Sequence, residues 1–159
     1  MRIDGIFAIR GTSLIAARFE GNKVNEFERL FDNWTDIEFL VNFFEEHIED
    51  LESGFYTDTS IENAVYKTID EAEELEEIIL ELSESGESDD SQTLQSLFKP
   101  LDNRKFGLEV HQEEKASGST RKSWLRVYAI RIAANTYVIS GGAIKLTKTM
   151  NNREHLLKE

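Results

Sequence analysis

Two short runs rich in apolar residues open the chain. Ile3 to Ala8 and Leu14 to Phe19 predict strands, and the turn-like Arg10-Gly11-Thr12-Ser13 between them makes a hairpin the simplest joint arrangement. Glu20-Gly21-Asn22-Lys23 closes the second run. The apolar period then lengthens from two to three and four. Thr35-Asp36-Ile37-Glu38 has the form of a capping box, in which the threonine hydroxyl accepts from a first-turn amide while the glutamate reaches back. Behind it Phe39, Leu40, Phe43, Phe44, Ile48 and Leu51 mark an amphipathic helix ending near Ser53-Gly54. A second box, Thr59-Ser60-Ile61-Glu62, opens a longer helix with an apolar stripe of Ile61, Ala64, Val65, Thr68, Ala72, Leu75, Ile78, Ile79 and Leu82. Its other face carries Asp70, Glu71, Glu73, Glu74, Glu76, Glu77 and Glu81, with few cations at the spacing that would neutralise them.

Residues 83–91 contain no apolar side chain beyond glycine and predict a mobile loop. A short helix around Gln92–Phe98 is stopped by Pro100, the only proline. Alternation then returns. Phe106–His111 reads as a strand, Glu113–Lys122 as a polar, flexible connection, and Trp124–Ile132 as a longer strand. In the last of these Leu125, Val127, Ala129 and Arg131 share one face, while Trp124, Arg126, Tyr128, Ile130 and Ile132 share the other. Ala133-Ala134-Asn135 turns the chain into Thr136–Ser140. Gly141-Gly142 breaks that strand, and Ala143–Lys148 resumes it as a bent or bulged continuation. A final helical turn or two is expected over Asn151–Glu159. The expected fold is therefore α+β: an N-terminal hairpin and two or three helices packed on a mostly antiparallel β-sheet. The 159 residues suit a single domain, 1–159, with a hairpin and link over 1–34, an acidic helical region over 35–98 and a basic sheet region over 99–159.

Charge sharpens this division. The chain carries −13, yet residues 1–100 hold a net −18 and residues 101–159 a net +5. The acidic part repels a phosphate backbone, whereas the basic tail can meet one if its cations share a face. There is no cysteine, which excludes disulfides, a thiol nucleophile and cysteine zinc sites. No apolar run reaches the ~18 residues of a membrane span, and the start Met1-Arg2-Ile3-Asp4-Gly5 is unlike a signal peptide. A cytoplasmic protein with no membrane partner is expected.

The chain has no Walker A loop, dinucleotide glycine fingerprint, HExxH pair or nucleophile-elbow serine, and no cofactor is expected. His47, His111 and His155 are widely spaced and have no ligand-like neighbours, so no metal site is assigned. In the tail, Arg126 and Tyr128 point to the same side of one strand, and Lys145 and Lys148 follow a diglycine that can re-aim them. Such a group suits a phosphodiester: cations stabilise a pentacoordinate phosphorane, and one protonates the leaving 5′-oxygen. A lysine beside other cations has a lowered pKa and can take a proton from a 2′-hydroxyl, while tyrosine can stack on a base. The same cations on an edge strand would equally serve as protection against aggregation.

As an ordered set, Trp124-Leu125-Arg126-Val127-Tyr128, Tyr137-Val138-Ile139, Gly142 to Met150 and Arg153-Glu154 resemble the RelE/HigB toxins of toxin–antitoxin systems, in their phage-type branch. Leu97-Phe98-Lys99-Pro100-Leu101 is similar to that family's link from helices to sheet, and the resemblance covers residues 97–157. It implies a compact α+β fold and mRNA cleavage without a metal, usually on the ribosome, leaving a 2′,3′-cyclic phosphate and a 5′-hydroxyl. By the same resemblance Arg126 would stabilise the transition state, Lys145 and Lys148 would supply charge and proton transfer, and Tyr128 would orient or stack the substrate. Arg121, Lys122 and Arg131 are the expected RNA contacts, His111 is an outside candidate for acid–base help, and an antitoxin protein is the expected partner. Those toxins are small and basic, and their paired lysines are more often adjacent than separated as Leu146-Thr147 separates Lys145 from Lys148 here. The acidic helix folded over the basic strands would act as a mask. The alternative function is a non-enzymatic immunity or mobile-element accessory factor on a RelE-like α+β scaffold, whose acidic surface, including Glu73, Glu74 and Glu77, binds a basic protein.

Overall fold

The computed structural model describes residues 2–53, 59–85, 94–100, 112–117 and 123–146. Helices lie on one face of a mostly antiparallel sheet, the α+β arrangement that the alternation of periods predicts. The elements are β1 (Ile3–Arg10), β2 (Leu14–Phe19), α1 (Glu26–Trp34), α2 (Ile37–Glu46), α3 (Ile48–Glu52), α4 (Ile61–Ser85), a 3₁₀ turn (Leu94–Ser96), β3 (Lys99–Pro100), β4 (Gln112–Ser117), β5 (Leu125–Ala133) and β6 (Thr136–Ile144). The sheet runs β1-β2-β6-β5-β4-β3. All neighbours are antiparallel except β2 and β6, which pair in parallel from Leu14–Tyr137 to Ala16–Ile139. The hairpin therefore does not end the sheet on its own; it joins the last strand of the described chain.

The core fills the space between helices and sheet. Leu14, Ala16, Leu125, Val127, Ala129, Tyr137, Ile139 and Ile144 meet Leu30, Phe31, Leu40, Phe44, Leu75 and Ile79. Trp34 packs edge-on to Phe31 at 5.5 Å between ring centroids, and Phe98 stacks on Tyr137 at 4.9 Å. Among the described residues no helix is long and apolar enough to cross a membrane.

Several local expectations are corrected. Residues 26–34, which the sequence pattern assigns to a link, form α1: Asn25 caps it by accepting from the Glu28 amide, and Phe27, Leu30, Phe31 and Trp34 form its buried stripe. Both caps move by one residue. Asp36, not Thr35, accepts from the amides of Glu38 and Phe39, because the Thr35 hydroxyl is already donating to the Phe31 carbonyl at the end of α1. Ser60, not Thr59, accepts from the Asn63 amide. The helix expected through Leu51 divides at His47, whose Nδ1 lies 2.8 Å from the Phe43 carbonyl.

Ser83, placed in the predicted loop, is helical and buried, and its main-chain oxygen accepts from the Ser13 hydroxyl. The helix at Gln92–Phe98 reduces, within the described part, to the 3₁₀ turn. The polar connection after Glu113 is strand in its first part, β4. The diglycine does not interrupt β6; the strand continues with an irregularity at Ser140, between the pairs Tyr128–Gly141 and Ala129–Ile139. The strand expected at 106–111 and the final turns at 151–159 lie outside the described residues, as do residues 86–91 of the expected loop.

Candidate nucleic-acid interface

The faces of β5 are fixed by anchors at its start. Trp124, expected on the face of Arg126 and Tyr128, precedes the strand and escapes its alternation: it is fully buried on the helix side, donates its indole N–H to the Thr68 hydroxyl at 2.9 Å, and packs 5.5 Å from the Phe44 ring. The Lys67 ammonium stands 4.4 Å above the indole. Beside it, the Ser123 hydroxyl donates to the Glu71 carboxylate at 3.0 Å and accepts from the Leu125 amide. Glu71, expected on the solvated acidic face of α4, is thus buried as an acceptor at the sheet. With β5 tied to α4 here, strand alternation sends Leu125, Val127, Ala129 and Arg131 toward the helices and Arg126, Tyr128, Ile130 and Ile132 away from them.

Arg126 is half-buried, and its Nη1 donates to the carbonyls of Ser123 (2.7 Å) and Leu125 (2.8 Å). Those bonds hold the guanidinium near the entry to the strand. Tyr128, half-buried, is two residues further along on the same face. Its cross-strand neighbour on β6 is Gly141, and the Ser140 hydroxyl donates to the Tyr128 main-chain carbonyl at 3.4 Å. Lys145 lies just past β6, two residues beyond Ala143, the partner of Arg126, and its amide donates to the Trp124 carbonyl at 2.6 Å. Arg126, Tyr128 and Lys145 are thereby gathered at one end of the β5–β6 ladder.

Arg131 is not among them. It is 5% exposed, on the helix-facing side and toward the opposite end of β5, a buried place for a residue expected to contact RNA. Arg121, Lys122, Lys148, His111 and His155 lie outside the described residues. Register adds two positions that pattern alone does not suggest. Lys115 of β4 is opposite Tyr128, and Lys99 of β3 is opposite Lys115, so one row across the sheet reads Lys99, Lys115, Tyr128, Gly141. The stretch Gln-Glu-Glu-Lys-Ala-Ser shows no apolar alternation, and so its strand left no signal in the sequence.

Five acidic side chains of α4 are elsewhere. Glu73, Glu76, Glu77, Glu81 and Glu84 line an open cleft of about 390 Å³ with Arg10 and Leu80, on the helix side of the molecule. Arg10 approaches Glu84 at 3.8 Å. Burial, with the charges of Asp32 and Glu73 beside it, pushes the Glu76 carboxyl above the usual glutamate range. Since α4 packs on the face carrying Leu125 and Val127, it does not cover Arg126 and Tyr128 in the way a mask would. Among the described residues no three His, Asp or Glu side chains converge to hold a metal ion. Comparison with known proteins finds no matching family model, no matching curated protein and no matching solved structure.

Proposed function

We propose that the protein is an endoribonuclease of RelE/HigB type, acting on mRNA in the cytoplasm and held in check by an antitoxin protein. The observation supporting this reading is that Arg126 and Tyr128 share the face of the sheet turned away from the described helices, at the end where Lys145 emerges. An extended polyanion can lie across such a face with its phosphates near the cations and a base against the phenol. In the reaction, the 2′-oxygen attacks the adjacent phosphorus and the bond to the 5′-oxygen breaks. A neutral lysine accepts the 2′-hydroxyl proton, and a protonated one gives a proton to the leaving oxygen. Arg126 stabilises the extra negative charge of the phosphorane. Lys145 and Lys148 take the proton-transfer roles, and no metal is assigned a step.

Induced expression of the wild type should arrest growth and create new mRNA 5′ ends, and the Arg126→Ala/Lys145→Ala double variant should do neither. Equal toxicity of a folded double variant would refute the assignment of these residues. Absence of arrest and of cleavage with well-expressed wild type would refute the ribonuclease. The acidic cleft on α4 favours the second reading in that event: a non-enzymatic protein that binds a basic partner. Charge reversal at Glu73, Glu74 and Glu77 should then weaken a salt-sensitive complex, and undiminished binding would exclude that face.

A further inference from the structure

Among the described residues β1 is the outermost strand, paired with β2 along one side only. It has eight residues, whereas β3 at the other end of the sheet has two. Ile3, Ile6 and Phe7 are 50%, 64% and 38% exposed, three of the six large apolar side chains that the described residues leave at the surface. Long edges usually carry lysine, proline or an inward-pointing charge that discourages pairing. The run Gly5-Ile6-Phe7-Ala8-Ile9 has none of these. Charge appears only at its ends, as Asp4 and Arg10, each three residues from Phe7.

We propose that β1 is a dimerisation edge, pairing antiparallel with β1 of a second copy of this chain about a two-fold axis at Phe7. The register follows from elementary geometry. Residues opposite each other in an antiparallel pair turn their N–H and C=O groups either both toward the partner or both away, and this sense alternates along a strand. In a symmetric pair the axis therefore falls on a residue, not between two. An axis at Ile6 opposes Arg2 of one copy to Arg10 of the other, like charge to like. An axis at Gly5 sets Asp4 against Ile6, and one at Ala8 sets Arg10 against Ile6. An axis at Phe7 opposes Asp4 to Arg10 twice, Ile6 to Ala8 twice and Phe7 to itself.

The faces agree with that register. Arg10 pairs with the core residue Leu14, and Asp4 binds Arg18, which lies two residues from the core residue Ala16 on β2. Both charges thus lie on the helix side, as two charges that meet across a continuous sheet must. The irregularities of β1, at Asp4 and Ile9, fall outside its straight middle, Gly5–Ala8, which carries the axis. The resulting assembly is a single sheet crossing both copies. It stands apart from the ribonuclease reading, since Arg126 and Tyr128 are three strands away on β5.

The test is sedimentation velocity of the full chain from about 1 to about 200 μM, a range over which mass action shows a micromolar dimer. The wild type should shift from monomer to dimer. Asp4→Arg and Arg10→Asp should each weaken the dimer about tenfold or more, because each replaces two opposite-charge pairs with like ones. An equimolar mixture of the two variants should recover near wild-type affinity as a heterodimer, since both pairs are again opposite in sign. Ile6→Lys, at an exposed position, should be monomeric with unchanged circular dichroism. A wild type that stays monomeric throughout overturns the proposal. So does a mixture that fails to recover, or an Ile6→Lys variant that dimerises like the wild type.

Discussion

Gly142 lies where α1 crosses β6. A Cβ added there would stand 2.7 Å from the Arg126 carbonyl oxygen and 2.9 Å from each Cδ of Leu30. Leu30 is 2% exposed and packed in the core, so its methyl groups have little room to turn aside. The carbonyl belongs to β5, whose Arg126 pairs with the very next residue, Ala143. Relief of the contact must therefore open the β5–β6 ladder or lift α1 from the sheet. Forcing a methyl group into such a place costs about 1–3 kcal/mol. The loss of glycine's freedom in the unfolded chain returns about 0.4–1 kcal/mol. The net expectation for Gly142→Ala is a destabilisation of about 1–2 kcal/mol, which lowers the urea midpoint by roughly 0.5–1 M for an m-value of about 2 kcal/mol/M. The buried Trp34 and Trp124 provide the fluorescence signal for that titration. Leu30→Ala in the Gly142→Ala background removes two of the three close contacts, so the pair should cost less than the sum of the single changes. An unchanged midpoint for Gly142→Ala, or strict additivity of the pair, would refute this account of the α1–β6 contact.

Two further outcomes are expected. Thr68→Val keeps the shape of the side chain but removes the acceptor for the Trp124 indole, and should cost about 1–3 kcal/mol in urea denaturation. A cost near zero would mean that this bond does not anchor the start of β5. Glu76 binds its proton more tightly in the folded chain than a free glutamate does, so its contribution to stability falls as pH rises above the usual glutamate range. Glu76→Gln should therefore raise the melting temperature at neutral pH, and the gain should vanish near about pH 4, where the unfolded carboxyl is itself largely protonated; an equal gain at both pH values would contradict the sign.

Period-two and period-four signals were legible wherever one face of an element meets the core. β5 is the clearest case: the alternation of Leu125, Val127 and Ala129 with Arg126 and Tyr128 is the one the fold adopts. The stripe Phe27, Leu30, Phe31, Trp34 behind Asn25 is equally periodic, and α1 was within reach of the same reasoning. The first cap slid by one residue because the adjacent Thr35 and Asp36 can each serve a helix end, and the end of α1 decides between them by engaging Thr35. Tertiary partners account for the remaining differences. Glu71 is acidic and surrounded by acids in sequence, but Ser123 offers it a buried donor from 52 residues away. Arg131 fell on the face that periodicity gave it, and that face is the buried one. β4 has no apolar rhythm because it is recruited by pairing with β5.

The parallel pairing of β2 with β6 has a kinetic consequence. It joins residues 14–16 to residues 137–139, so the contact that seats the hairpin in the sheet closes a loop of about three-quarters of the chain. Such a long-range closure must be formed before the contacts it permits contribute, which makes folding slow relative to a chain of local contacts. During synthesis the hairpin and α1 emerge first, with Leu14, Ala16, Leu30 and Phe31 still lacking the strand that covers them. Until β6 leaves the ribosome, the apolar edge of β1 and this uncovered face are presented together, and that interval is when the nascent chain is most exposed to aggregation and to chaperones.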